Sequence, residues 1–465
     1  MNRNRRHKFY VISLFVFIII SATIASANNL PKIISNGNLH INNSQTKWTV
    51  MIYFAGDHHR GNEIEYTQNI LTDIGSNNDV NIVGLFDGKT KDDTHYYFID
   101  KDLMVPLSWY ETESNMAEPS TFERFLKLSM YNYPAEHYAL FTLSAWGSGW
   151  QGIFSDTSGT GSSKTLDLIT MPEISNVLAD VTDNGTNKID IYAIDVCLPG
   201  MIEVACQITP YVKYMVANEE HGFGGPDEIS DEGTPLEWNY SAFLKHLHDN
   251  PDMTPEEFAI DIVNTYQPGT LTSKLFSIIT APKWYPIVIY HTDLSATNLT
   301  KLNTLETAVD NLADTMIKNL NQFKNNIKQA RSQTREYGKA YRRFYFLPAF
   351  IITLGLAYEP FGYDCFIDLY NFAENLLSVT SNNDIKNACQ QVMNKINTTI
   401  IANKACIDDH SNGLSIYFPE HKCQYDQSIW KHMGNPSFDK ISPYEELFFT
   451  EETSWDEFLK LYLNI

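Results

Sequence analysis

The 465-residue chain is short of basic residues: 34 Lys and Arg stand against 56 Asp and Glu, a formal charge of −22. A surface this acidic repels nucleic-acid backbones and anionic lipid, so neither is an expected partner. It suits solubility outside the cytoplasm, and it attracts basic substrates or Ca²⁺. Cysteine is scarce as well. There are six, no two form a CxxC pair, and none falls at a Cys/His spacing that binds zinc. No metal ligands are therefore read from the sequence. Four of the six lie from Cys365 onward, where an exported chain can form one or two bridges whose pairing the sequence does not fix. Internal repeats and low-complexity tracts are absent, which argues against a solenoid or propeller. After residue 27 no stretch is long and apolar enough to span a bilayer.

The one long apolar run is at the start. Residues 2–8 are basic, residues 9–20 almost purely apolar, and Ala25-Ser26-Ala27 supplies an A-x-A pattern. This reads as a secretory signal peptide over 1–27, cut after Ala27, in preference to an uncleaved anchor. Losing Arg3, Arg5, Arg6 and Lys8 with it takes the formal charge from −22 to −26. Residues 28–46 are polar and Asn-rich, a flexible lead-in. The whole chain is 43% hydrophobic, enough to build a real core.

From residue 47 short apolar runs alternate with helical segments. Strands are expected at 47–55, 81–86, 137–144, 189–195 and 214–218, and helices at 119–131, 171–181 and from about Pro199 to Thr209. Such alternation means an α/β fold with a parallel or mostly parallel sheet covered on both faces, here over 47–250. Residues 251–465 read as helical and sheet additions packed on that core. Helices are expected at 254–266, 365–377, 382–398 and 455–463, a long helix or helix pair at 293–328, and a strand at 413–419. Two loops follow strand ends, where open α/β sheets bind ligands. Ser155–Lys164 is Gly/Ser-rich and expected to be exposed, and Glu219–Gly233 carries His221 with several acids.

Two short segments carry candidate chemistry. Cys197 sits in IDIYAIDVCLPG, where a strand ends and a helix is expected to begin. A thiol there would feel the positive end of the helix dipole, and nearby backbone N–H groups could hold an oxyanion. The plainer alternative is a small buried apolar residue. Trp146-Gly147-Ser148-Gly149-Trp150 follows the third strand. Its glycines allow close approach of a ligand, or they simply make a turn between two packing tryptophans.

Taken together these segments resemble the clostripain family of cysteine peptidases, relatives of caspases. The resemblance runs in order through KWTVMIYFAGD, HYALFTLSAWGSGW, IDIYAIDVCLPGMIEVACQI, YMVANEEHGFGG, NPDMTPEEFAIDIVNTY, Ala330-Arg331, FIDLYNFA, GLSIYFP and SWDEFLKLYL. It implies a caspase-like three-layer α/β/α sandwich and peptide or protein substrates. Carried over by position, Cys197 matches the nucleophile and Gly147 the glycine whose amide joins the oxyanion hole. Asp195 matches an acid that helps recognise Lys or Arg at the cleavage site. Lys164 falls where such enzymes can cut themselves. No cofactor is implied except Ca²⁺, on which some members depend.

One departure is decisive for chemistry. The family reads Trp-Asp-His-Gly where this chain reads Ser144-Ala145-Trp146-Gly147. The catalytic histidine position is thus filled by Trp146. An indole N–H donates only and accepts no proton from a thiol. An ordinary thiol, with a pKa of about 8.5, is only a few per cent thiolate near neutrality. Removing the histidine of a hydrolytic triad elsewhere costs roughly six orders of magnitude in turnover. His137 is no substitute, because nine strand residues at about 3.3 Å each put it roughly 30 Å away. His58 and His221 follow strand ends on the same sheet edge and are the candidate replacement bases. The expectation is an exported clostripain-like protein with lost or greatly reduced proteolysis and a cleft for basic peptides. The alternatives are an active endopeptidase with a non-standard base, and a non-enzymatic surface interaction protein.

Overall fold

The computed structural model describes residues 45–57, 63–144, 147–158, 166–220, 238–268, 292–337, 365–406, 410–425 and 443–465, with the backbone alone of 287–288 and 342–343. The expected signal peptide lies outside the described residues, as does the lead-in up to 44.

Nine strands form one sheet. In chain order they are β1 Thr46–Ala55, β2 Val80–Asp87, β3 His95–Asp100, β4 Leu103–Pro106, β5 Ala135–Ser144, β6 Ile189–Asp195, β7 Val212–Ala217, β8 Asp293–Asn298 and β9 Ile400–Ala405. Their order across the sheet is β9-β8-β7-β6-β5-β1-β2-β3-β4. The five middle strands, β7 to β2, run parallel. An antiparallel pair closes each side, β8 with β9 and β3 with β4.

The middle strands read as unbroken apolar runs because both their faces are covered. On β1, Val50, Ile52 and Phe54 enter a core cluster with Phe243 of α5 (Tyr240–Asp249) and Phe258 and Ile262 of α6 (Pro255–Thr265). These labels follow α1 (Glu63–Ile74), α2 (Pro119–Asn132), α3 (Met171–Val181) and α4 (Ile202–Ile208). Tyr53, one residue out of step, turns to the opposite face. There it meets Phe122 and Phe125 of α2 at ring distances of 5.0 and 5.5 Å and donates to the Met116 carbonyl. This alternation is the strand pleat, and it makes helix–sheet–helix layers.

Local signals explain the best-defined helix ends. Thr170 and Glu173 form a capping box ahead of α3, with Pro172 in its first turn, and Thr254 with Glu257 does the same for α6. Three expected boundaries shift. The helix expected over 293–328 begins only at Leu302 as α7 (Leu302–Gln333), because Asp293–Asn298 is a fully buried strand between β7 and β9. The helix expected from 365 begins at Leu369 as α8 (Leu369–Val379), after a short strand, and Asp368 caps it by accepting from the Asn371 amide. The helix expected from Pro199 begins at Ile202, because Met201 just before it is still extended, with φ −117° and ψ 149°, outside the right-handed helical region.

The later helices α9 (Asn383–Thr399), α10 (Phe448–Glu452) and α11 (Trp455–Leu463) complete the molecule. The described residues belong to one compact unit. Arg331, near the end of α7, is the buried pin of the C-terminal part. Its guanidinium pairs with both Glu336 carboxylate oxygens at 3.1 and 3.0 Å, and its Nε donates to the Phe418 carbonyl at 2.7 Å. Phe418 in turn packs on Trp455, Phe458 and Tyr462 of α11. Among the described residues no helix is long and apolar enough to cross a membrane.

Candidate active site

Strands β5 and β6 are parallel neighbours, with Leu143 opposite Asp195. Both chains therefore leave the sheet at the same edge. Gly147 follows the end of β5, and Cys197 follows the end of β6. The two meet directly. A Cβ built on Gly147 would lie 2.6 Å from the Cys197 carbonyl oxygen, 2.9 Å from Val196 Cγ2 and 3.2 Å from the Cys197 nitrogen. Only a residue without a Cβ allows this approach. Gly149 adds a second requirement, with φ at 57° and the Met201 sulfur 2.5 Å from where its Cβ would be.

The loop carrying Cys197 is held on several sides. The Gly200 amide donates to Asn218 at 2.8 Å, beyond the end of β7, and the Gly200 carbonyl accepts from the Ser415 amide at 2.8 Å. The Leu198 amide reaches the Glu220 carbonyl at 3.4 Å. From Ile189 to Ile208 every residue is buried except Cys197. The fixed loop thus buries its apolar neighbours, Val196 and Leu198, and leaves Cys197 partly exposed. This is not the environment of a small buried filler. The expected help from a helix dipole does not apply. The seven-residue α4 starts five residues beyond Cys197, and a dipole acts only within the first turn.

Asp195, the last residue of β6, is buried beneath this loop, and its Oδ2 accepts from the Tyr240 hydroxyl at 3.0 Å. Cys197, Gly147 and Asp195 are thereby brought together. Trp146, His58, His221 and Lys164 lie outside the described residues. His137 is at the opposite end of β5, where its ring lies tilted against Trp48 at 4.8 Å and its Nδ1 sits 3.3 Å from Asp190. The Ser155–Lys164 loop expected to be exposed begins as a buried strand. Phe154–Asp156 pairs with Asp167–Ile169, and Ser155, Asp156 and Thr157 are all buried.

A group of acids gathers close to the Cys197 loop, and no local sequence pattern assembles it. Glu219 follows β7 and is buried. Its Oε2 accepts from the Ser411 hydroxyl and the Gly413 amide, both at 2.7 Å. Asp293 accepts from the amides of Glu219 and Glu220, and Arg335 pairs with Glu220 at 3.0 Å. Burial, with Asp368 and Asp293 nearby, pushes the Glu219 carboxyl well up. Burial likewise raises Asp368 to about 7 and Glu203, which accepts from Tyr444 and the Tyr417 amide, to about 7. These acids join segments more than seventy residues apart, which no local pattern announces.

A mostly parallel sheet with helices on both faces, a thiol beyond one central strand and a glycine from the adjoining strand against its backbone is the layout of a caspase-like cysteine peptidase. Comparison with known proteins agrees. The profile of the clostripain family, peptidase family C11, matches residues 52–462. Clostripain of Hathewaya histolytica is 22% identical over 451 residues, covering 87% of this chain and 80% of that protein. A secreted C11 cysteine protease of Bacteroides thetaiotaomicron, solved with an irreversible peptide inhibitor, superposes with a TM-score of 0.58 at 15% identity. It covers 88% of this chain and 99% of its own. An inactive zymogen C11 protease of Parabacteroides distasonis gives 0.54 at 14% identity over the same shares. The chain belongs to the clostripain family.

Proposed function

We propose that this is an exported clostripain-family protein that keeps a peptide-binding cleft at Cys197 and has lost most or all of its proteolysis. The observation that carries this reading is the contact between Gly147 and the Cys197 backbone. It supports the alignment in which the residue bonded to Gly147 on its N-terminal side is the one that should shuttle protons. In this chain that residue is Trp146. Without a base the thiol is not activated, and without an acid the leaving amine is not protonated. The oxyanion site expected of the Gly147 and Cys197 amides polarises a bound carbonyl without completing the reaction.

In this reading Asp195 holds a Lys or Arg side chain of the bound peptide. A buried carboxylate at the base of the loop favours a cationic ligand over a neutral one. The basic Lys164 is the processing position, as a zymogen is known among similar structures. The N-terminal apolar run directs export, in keeping with the secreted protease of similar fold.

The test is labelling by an Arg- or Lys-chloromethylketone, followed by mass spectrometry of the Cys197 peptide. The expected result is labelling no faster than that of Cys423, an exposed free thiol. Titration of Cys197→Ala with an Arg-terminated peptide should still show binding, weakened by Asp195→Asn. Rapid, selective labelling of Cys197 would support the second reading, an active enzyme with His221 or His58 as base. One observation favours His221 in that case: Glu220, bonded to it in sequence, already reaches the nucleophile loop through Leu198.

A further inference from the structure

Two strands away from Cys197, at the same sheet edge, three buried aspartates converge. Asp57 follows the end of β1, Asp87 ends β2, and Asp156 ends the short strand Phe154–Asp156. One carboxylate oxygen of each lies within 4.8 Å of the other two. We infer that Asp57, Asp87 and Asp156 form a divalent-cation site of calcium type, which ties the 154–158 segment to the ends of β1 and β2.

The residues fit such an ion on three counts. The donors are all carboxylate oxygens, which hard cations take, and none is the softer nitrogen or sulfur that zinc prefers. Two oxygens on opposite sides of an ion with bonds of about 2.4 Å are about 4.8 Å apart, so the observed span accommodates one. Third, the side chains that should satisfy these acids fall short. Asp87 is fully buried, and its Oδ1 accepts from the Thr94 hydroxyl, yet its buried Oδ2 has no donor among the described residues. Glu113 borders the same site. Its Oε2 accepts from the Asp92 amide, and its buried Oε1 likewise lacks a donor. Asp87 with Asp93 and Glu113 makes a second triad of the same dimensions, so the two triads share Asp87. Asp156 accepts from the amides of Met116 and Ser158. Neither Asp87 nor Asp156 meets a lysine or arginine among the described residues. Converging buried carboxylates without a counter-charge are costly, and a cation removes that cost.

The site also has a mechanical consequence. The Thr157 amide and hydroxyl both donate to Asp57 Oδ2, at 2.9 and 2.6 Å, and the Gly56 amide donates to the Asp87 carbonyl at 2.9 Å. An ion shared by Asp57, Asp87 and Asp156 therefore locks three separate segments together. The competing occupant is a proton. Burial and the neighbouring Asp156 push the Asp87 carboxyl up to about 10, so the metal-free protein can share a hydrogen between these two acids.

The experiment uses the intact chain stripped with EDTA. Terbium is added as a luminescent calcium analogue, with the nearby Tyr53 ring as sensitiser, and Ca²⁺ then competes it off. In parallel the thermal midpoint is measured in EDTA and in millimolar Ca²⁺. The expected results are saturable emission reversed by Ca²⁺, and a midpoint a few degrees higher with Ca²⁺. Asp87→Asn should abolish both. If that variant does not fold, Glu113→Gln, at the half-exposed rim, should weaken Ca²⁺ competition several-fold. Absence of emission together with an unchanged midpoint in the native chain overturns the site in favour of a shared proton. So does an Asp87→Asn protein that responds to Ca²⁺ like the native one.

Discussion

Replacing Gly147 with alanine adds one methyl group at the tightest point of the candidate site. Its Cβ would lie 2.6 Å from the Cys197 carbonyl, 2.9 Å from Val196 and 3.2 Å from the Cys197 nitrogen, whereas ordinary contact begins at 3.4 Å. About 0.8 Å must therefore be found by moving backbone, because the nearest atom is a carbonyl oxygen with no side-chain freedom. The Cys197 loop has little room to yield. Gly200 is bonded to Asn218 and Ser415, and Leu198 already holds a left-handed φ. Overpacking of this kind costs about 1–3 kcal/mol. Urea unfolding of Gly147→Ala beside the native protein should show that loss. The alkylation rate of Cys197 by iodoacetamide, followed by mass spectrometry, should change while that of Cys423 does not. Equal stability and an unchanged Cys197 rate would refute the contact between the two segments, and with it the argument that Trp146 occupies the proton-shuttle position.

Three other outcomes follow from buried groups. Glu203 and Asp368, ordinarily near 4.5 and 3.8, are each raised to about 7. A group whose folded pKa exceeds its unfolded value stabilises most below the unfolded value and loses that contribution as pH rises through the folded one. The unfolding free energy in EDTA should thus fall between about pH 4.5 and 7, by up to about 3 kcal/mol for Glu203, and Glu203→Gln should flatten the slope. Glu336→Gln leaves the Arg331 guanidinium buried with half its partner lost, and should cost about 3–5 kcal/mol in urea unfolding. The paired change Arg331→Met with Glu336→Leu should recover most of it. Among the free thiols, Cys423 should react with maleimide in the native state. Cys206 and Cys389 should not, since burial hides both and raises the Cys389 thiol to about 12.

What the sequence made legible follows the range of the forces involved. Strand β6 and helices α3 and α11 have the bounds expected of them, because unbroken apolar runs, capping residues and helical periodicity act over a few residues. The meeting of Gly147 with Cys197 was foreseeable only through family resemblance, since nothing local pairs residues fifty positions apart. Strand β8 was hidden because Asp293-Leu-Ser-Ala-Thr-Asn has a mixed, polar face that ordinarily marks exposure. Here its Asp293 and Ser295 are spent on the Glu219 and Glu220 amides and the Gly413 carbonyl. The Glu219 group and the aspartates at 57, 87 and 156 escaped for the same reason. Each acid looks like a solvated loop residue until the sheet edge gathers them. The dipole argument for Cys197 failed because the backbone stays extended at Met201 and the helix starts only at Ile202, which composition does not reveal.

The most direct measurement is hydrolysis of Arg- and Lys-terminated fluorogenic peptides by the native protein, Cys197→Ala and Trp146→His, side by side. The account predicts that the native protein is indistinguishable from Cys197→Ala or nearly so. Trp146→His should gain turnover on the order of 10²–10⁴-fold over native, the usual contribution of a positioned proton shuttle. Native turnover that is abolished by Cys197→Ala and not raised by Trp146→His would contradict it.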